Sequence, residues 1–243
     1  MMKAAALHAA LHALPVVPLA DIVPGTAMIL APHPDDESLG CGGLIAACCA
    51  AGRPPLVVVM TDGVASHPHS SGWPATRLRM QRQGETLRAV ACLGLAAQRV
   101  VFLNLPDTAV PHEGRLFTRV VTTLAGLARR HGCATVLAPW WADPHCDHEA
   151  TWKTGVALCQ QGGFALWAYP VWGWLLAPDR EMDEGAPHGV RLDITACRAA
   201  KAQAVRMHES QYGGLITDDP TGFTLPETLL DALITDFEVF VRP

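Results

Sequence analysis

Four short, largely apolar runs, each closed by turn residues, constrain this chain more than any other feature: Thr26 to Pro32, Leu56 to Thr61, Val100 to Leu105 and Ala134 to Pro139. A run that does not alternate polar with apolar residues suits a strand buried on both faces, as in a parallel sheet. Between the runs lie segments with helical spacing, Gly42 to Ala51, Ala75 to Leu93 and Phe117 to His131. Each closes near a glycine, Gly52, Gly94 or Gly132, able to end a helix. The pattern continues with a helix from about Glu149 to Gln161, strands near Leu166 to Val171 and Val190 to Ile194, and a helix from Ala196 to Glu209. Strand-helix alternation of this kind predicts an α/β fold: a Rossmann-like, doubly wound, mostly parallel sheet with helices on both faces. The length fits one domain spanning residues 1–243, with Pro178 to Gly189 as a surface loop.

Half of the residues are hydrophobic, 17% are charged and the formal charge is -5, which argues against a disordered chain and against nucleic acid as a partner. No apolar run is long enough for an integral membrane span. The Ala-rich start, Met1 to Ala20, reads as a short amphipathic helix rather than a secretory signal, because His8 and His12 interrupt it. The eight cysteines form no Cys-x-x-Cys pair, and most sit in Ala-rich helical stretches. They read as small buried hydrophobes in a reducing, cytoplasmic setting.

Two clusters carry the chemistry. Directly after the first apolar run comes His33-Pro34-Asp35-Asp36-Glu37, followed by a Gly-rich turn, Gly40 to Gly43, and directly after the fourth comes Asp143-Pro144-His145-Cys146-Asp147-His148-Glu149. Strand C-termini are where open α/β sheets bind ligands. A catalytic zinc site takes three imidazole or carboxylate ligands and keeps a position open. His33, Asp36 and His148 supply such a set, Asp35 is left beside the metal to take a proton from water, and His145 can face the far side of a substrate carbonyl.

The two clusters resemble the LmbE-like, or PIG-L, family of zinc-dependent deacetylases. The resemblance extends to Thr61-Asp62-Gly63, Arg82-x-x-Glu85, Leu105-Pro106-Asp107, Lys201 and His208-x-Ser210-Gln211, so it covers roughly Thr26 to Gln211. It implies an N-deacetylase of an N-acetylglucosamine-type amino sugar or glycoside, with Zn2+ (or Fe2+) on His33, Asp36 and His148 and Asp35 as base. His145 would stabilise the transition state, oriented by Asp147. Asp107 would bind sugar hydroxyls, and an arginine among Arg77 to Arg82, with Arg77 and Arg82 as candidates, would contact substrate. Asp62 and Glu37 would hold a ligand from behind, and Cys146 stands where the family frequently has proline.

Simpler readings stand beside these. Asp62 has the position of a loop cap, Arg82 and Glu85 have the spacing of a helix-face ion pair, and His208 has the position of a helix C-terminal cap. His67, His69 and His112 read as surface histidines, and Trp140, Trp141, Trp172 and Trp174 either fill the core or give the substrate a stacking face. Two alternative functions are a zinc amidase for a non-sugar N-acyl amine and a metal-dependent sugar-binding module without turnover. A homo-oligomer is compatible with all of them.

Overall fold

The computed structural model describes residues 2–183 and 185–243; Met1 and Glu184, which fall in the expected N-terminal helix and the expected 178–189 loop, lie outside the described residues. In chain order the strands are β1 (Met2–Lys3), β2 (Thr26–Ala31), β3 (Leu56–Thr61), β4 (Val100–Leu105), β5 (Cys133–Pro139), β6 (Ala165–Tyr169), β7 (Glu181–Met182), β8 (Gly189–Asp193) and β9 (Phe237–Val241). The helices are α1 (Ala4–His12), α2 (Leu19–Ile22), α3 (Asp36–Ala50), α4 (Ala75–Cys92), α5 (Gly114–Arg130), α6 (Cys146–Gly162), α7 (Arg198–Arg206), α8 (Glu209–Tyr212) and α9 (Glu227–Leu233).

The main sheet runs β4-β3-β2-β5-β6-β9-β8, with the first five strands parallel and β9 antiparallel to both β6 and β8. Strand β2 shows why apolar residues run on without alternation. Ala27, Ile29 and Ala31 face one core, which is completed by α3, α4, α7 and α9, while Met28 and Leu30 face the other, under α5 and α6. The expected fold class is therefore the observed one. From β2 the order proceeds to β3 and β4 on one side and to β5 and β6 on the other, so the switch point lies between the C-terminal ends of β2 and β5. Both chemical clusters leave the sheet at that crevice, the place where doubly wound sheets bind ligands.

Three expectations need correction. The Gly-rich stretch is not a turn: α3 already begins at Asp36 and runs through it. The glycines are there for close packing, since a Cβ on Gly40 would run into the Tyr169 ring and one on Gly43 would meet Ile194 Cγ2 at 2.5 Å. The surface loop at 178–189 contains β7, which pairs with β1 beside α1. Finally, α9 and β9 extend the sheet beyond the expected elements, and β9 brings Glu238 into the core, where Oε1 accepts from Gly43 N and Lys201 Nζ and Oε2 from Leu44 N.

Candidate metal centre

The loop after β2 and the start of α3 place His33 and Asp36 side by side, and the start of α6 adds His148. Asp36 Oδ2 lies 3.2 Å from His33 Nδ1 and 3.4 Å from His148 Nε2. With metal-ligand bonds of about 2.0–2.2 Å, tetrahedral geometry separates donor atoms by roughly 3.3–3.6 Å, so each of these two separations is close to that of two donors sharing one small cation. A second observation agrees: His148 Nε2 is buried and has no hydrogen-bond partner. One nitrogen from each of His33, His145 and His148 falls within 4.8 Å of the others.

Carboxylates fix which nitrogen each imidazole presents. Asp143 Oδ2 lies 2.9 Å from His148 Nδ1, so His148 turns Nε2 toward Asp36. Asp147 Oδ2 and Asp107 Oδ1 lie 3.2 and 3.3 Å from His33 Nε2, which leaves Nδ1 as the nitrogen turned to Asp36. His33, Asp107 and Asp147 form another group of suitable atoms, but the Asp147 oxygens already accept from Thr108 N at 2.7 Å and Val110 N at 3.0 Å. A carboxylate behind a histidine ligand orients the ring and raises its basicity.

The charges reinforce one another. Burial would lower His33, but the carboxylates of Asp107, Asp147 and Asp36 outweigh it and hold the ring well above its usual value. Burial opposed by Asp36 and Asp143 leaves His148 raised to about 9. Asp36 shows the complement: burial would raise it, yet His148 and His33 keep it well below the carboxylate range.

Asp35 stands next to this group with a different partner. Its Oδ2 lies 3.1 Å from Arg82 Nη2, and Arg82 also donates to Gly63 O at 2.7 Å and Pro34 O at 3.3 Å. Gly63 has φ 66°, and a Cβ there would lie 2.6 Å from Arg82 Nη1, so the close approach needs glycine. Burial pushes the Asp35 carboxyl up, against the Arg82 guanidinium that pulls it down. His145 goes the other way: burial, with His33 and His148 close by, lowers it to about 4. Its Nδ1 accepts from Asp147 N at 3.2 Å, so the neutral ring carries its proton on Nε2.

His33, Asp35, Asp36, Arg82, Asp107 and His145 line a cavity of 330 Å³, whose apolar wall is Leu39, Trp172, Phe223 and Leu225. The structure brings the expected ligands, base and His145 together. It moves other residues to new roles. Asp147 orients His33 with its carboxylate and touches His145 only through its backbone, because the turn into α6 aims the side chain at the 107–110 loop. Arg77 lies outside the cavity, over the Trp73 ring at 3.9 Å and donating to Gly72 O, because its side of α4 faces outward. Arg82 and Glu85 do not pair with each other. Asp62 accepts from the backbone of Val64 and Asp107, setting the loop that carries Asp107. Glu37 turns away from His33 and His148 to Ser38 and His208, which is wholly buried and stands at the N-terminal end of α8 rather than capping a helix C-terminus. His67 is also buried, against Gly222. Of the tryptophans, Trp172 lines the cavity, Trp140 and Trp141 line a separate hollow with Trp152, and Trp174 packs on His8 and His12.

Two participants escaped the sequence. Asp143 was visible in its cluster, and the rule that a histidine ligand has an acceptor behind it was the available signal. Phe223 comes from a distant loop with no motif of its own.

A profile of the PIG-L family, described as GlcNAc-PI de-N-acetylase, matches residues 28–159. The chain belongs to this family. It is 26% identical over 192 residues to the diacetylchitobiose deacetylase of Thermococcus kodakarensis, covering 76% of this chain and 69% of that one. It is 30% identical over 135 residues to the 2'-N-acetylparomamine deacetylase of Streptomyces fradiae, covering 51% of this chain and 48% of that one. Among solved structures, a conserved protein from Thermus thermophilus, TT1542, superposes with a TM-score of 0.64 at 26% identity, over 89% of this PIG-L chain and 94% of its own.

Proposed function

We propose that this PIG-L protein is a zinc-dependent hydrolase that removes the acetyl group from the nitrogen of an N-acetylglucosamine-type amino sugar. The observation that carries the reading is the placement of Asp36 Oδ2 between His33 Nδ1 and His148 Nε2, with Asp35 on Arg82 alongside. The names of the two deacetylase relatives supply the substrate class. His33, Asp36 and His148 would hold Zn2+, and Fe2+ suits the same donors. Zinc there supplies a Lewis acid that polarises the amide carbonyl and lowers the pKa of water.

The remaining steps belong to the protein. Asp35, with its carboxyl raised by burial and its direction fixed by Arg82, takes the proton of the attacking water. His145 donates Nε2–H to the carbonyl oxygen as negative charge develops on it. Because that ring is neutral, giving up this proton would leave an imidazolate, so the leaving amine receives its proton from Asp35 instead. Asp107 and the stacking face of Trp172 lie where a sugar ring would rest, and the eight unpaired cysteines suit a cytoplasmic setting.

The test is an acetate-release screen over N-acetylated amino sugars with defined aglycones, with zinc and with ferrous iron. Release from at least one N-acetylglucosamine-type compound is expected. Release only from non-sugar N-acyl amines would transfer the assignment to an amidase, and binding without release from any compound would make the protein a binding module.

A further inference from the structure

Residues 213–226 join α8 to α9 with no helix or strand of their own, and yet they are tied down along their length. Asp218 Oδ1 accepts the Ser70 hydroxyl at 2.6 Å and Oδ2 accepts from Gly72 N at 2.8 Å, while Asp219 Oδ2 accepts from His69 N at 2.9 Å. Phe223 N donates to Ser66 O at 2.7 Å and Leu225 N to Gln211 O at 2.8 Å, and a Cβ on Gly222 would run into the His67 ring. A loop this long in a compact domain is uncommon unless it is unstructured or serves binding, and the anchors exclude the first.

What the anchors hold in place is Phe223, which lines the 330 Å³ cavity beside Trp172. Both side chains are only partly buried, and the cavity is where they meet open space. An acetyl group brings one methyl, too little to cover two aromatic rings, so most of this surface meets the part of the substrate beyond the amide. The two rings lie 5.7 Å apart at 70°. A pyranose lying flat on Trp172 therefore turns its rim, rather than its C–H face, toward Phe223. A hydroxyl on that rim would give up water for a ring that cannot replace the lost hydrogen bond, whereas an apolar group gains from leaving water. Ser66 Oγ, on the residue whose carbonyl holds Phe223, is already in contact with Gly63 O and Gln211 Nε2.

From this arrangement we propose that Phe223 is a specificity-determining residue: it makes the site prefer amino sugars whose aglycone is apolar, an alkyl or aryl group, over those with a free or polar anomeric position. The inference rests on the reading of this cavity as an amino-sugar deacetylase site with the sugar ring on Trp172, and it narrows the substrate class within that reading. Because the loop is anchored before a ligand arrives, little binding energy is lost to ordering it.

Acetate release by the zinc-loaded, full-length protein tests the inference with the methyl, hexyl and phenyl β-glycosides of N-acetylglucosamine. The hexyl and phenyl compounds are expected to exceed the methyl one in kcat/KM by about tenfold or more, chiefly through KM. Phe223→Ala should bring that ratio within about threefold of unity, and Phe223→Leu, which keeps an apolar side chain, should retain most of it. Phe223→Gln, which fills the position with a polar side chain, gives the same loss should Phe223→Ala fold poorly. Calorimetry with the amine products, the methyl and hexyl glycosides of glucosamine, gives a readout without turnover. The hexyl compound is expected to bind the wild type about tenfold more tightly, with the more negative heat-capacity change, and to lose that advantage in Phe223→Ala. Equal kcat/KM across the three glycosides, equal binding of the two products, or a preference that persists in folded Phe223→Ala overturns the inference. So does a gain from lengthening the N-acyl chain that Phe223→Ala abolishes, since the ring would then hold the acyl group. Absence of acetate release from all three glycosides overturns the deacetylase reading instead, and the product-binding comparison still decides what Phe223 meets.

Discussion

The imidazole of His148 and the carboxylate of Asp143 meet inside the core, with Nδ1 2.9 Å from Oδ2 and neither side chain reaching solvent. Asp143 is filled on all sides, since Oδ2 also accepts from Val171 N and Oδ1 from Gly173 N. Asp143→Asn puts an NH2 where only acceptors fit. Turned toward His148, that NH2 forces the proton onto Nε2, the nitrogen that should face the cation. Metal affinity is expected to fall about 10–100-fold. Chelator competition measures it, and an unchanged zinc affinity in a folded variant would remove Asp143 from the centre.

Asp35 differs from its neighbour in pairing with Arg82 rather than with an imidazole. Asp35→Asn retains the shape and loses the base, so kcat is expected to fall by about two to four orders of magnitude. Zinc content per chain should stay at the wild-type level, because the ligand set is intact. A variant that loses its metal along with its activity would show Asp35 to be a ligand, and the division of labour between Asp35 and Asp36 would be wrong.

A pH dependence follows from His148. Burial lowers this ring, but Asp36 and Asp143 outweigh burial and raise it to about 9 in the metal-free protein. Since the folded value exceeds the unfolded one, the contribution to metal-free stability is full below about 6.5 and is lost as pH rises through 9. A metal must displace that proton and the one on His33, which is also held above its usual value, so affinity should climb with pH up to about 9, by up to about tenfold per unit for each proton released. Zinc competition titrations across that range decide it; a flat profile would mean that neither imidazole carries a proton to displace.

Much of this was legible in the sequence because the relevant residues are neighbours along the chain. The runs at β2 to β5 are apolar on both faces, and His33-Pro34-Asp35-Asp36-Glu37 and the cluster at 143–149 stand at strand ends, so sheet, crevice and ligand types followed directly. What could not be read depends on contacts between distant segments. Gly40 and Gly43 look like a turn until Tyr169 and Ile194 are seen lying on α3. Arg82 and Glu85 have ion-pair spacing, yet Arg82 is claimed by Asp35 from the β2 loop and Glu85 by Ser210. Asp147 precedes His148 and follows Cys146, but its carboxylate answers to the backbone of the 107–110 loop and to His33. Thr108 in that loop takes φ 66°, unusual for a branched residue, and directs its N–H at Asp147; no local signal announces such a conformation.

Lys201 and Glu238 offer a test of what holds α3, and with it Asp36, against the rest of the molecule. The Nζ and Oε1 atoms lie 2.8 Å apart, each side chain is 1% exposed, and the Glu238 carboxylate also accepts from Gly43 N and Leu44 N of α3. Removing one partner strands a buried charge, so Lys201→Met is expected to cost about 3–5 kcal/mol, whereas the pair itself contributes far less than that relative to a neutral replacement. Combining Lys201→Met with Glu238→Gln removes both charges and should recover part of the loss, leaving an interaction of at least about 1 kcal/mol in the cycle. Recovery should be incomplete, because an amide can satisfy only one of the two α3 N–H groups with its oxygen and turns its NH2 toward the other. Urea unfolding of the two single variants and the double variant measures the cycle, provided the denaturant slope is constant across the set. Strict additivity would show that the two charges do not stabilise one another, and Lys201 would then play no part in holding Glu238 against α3.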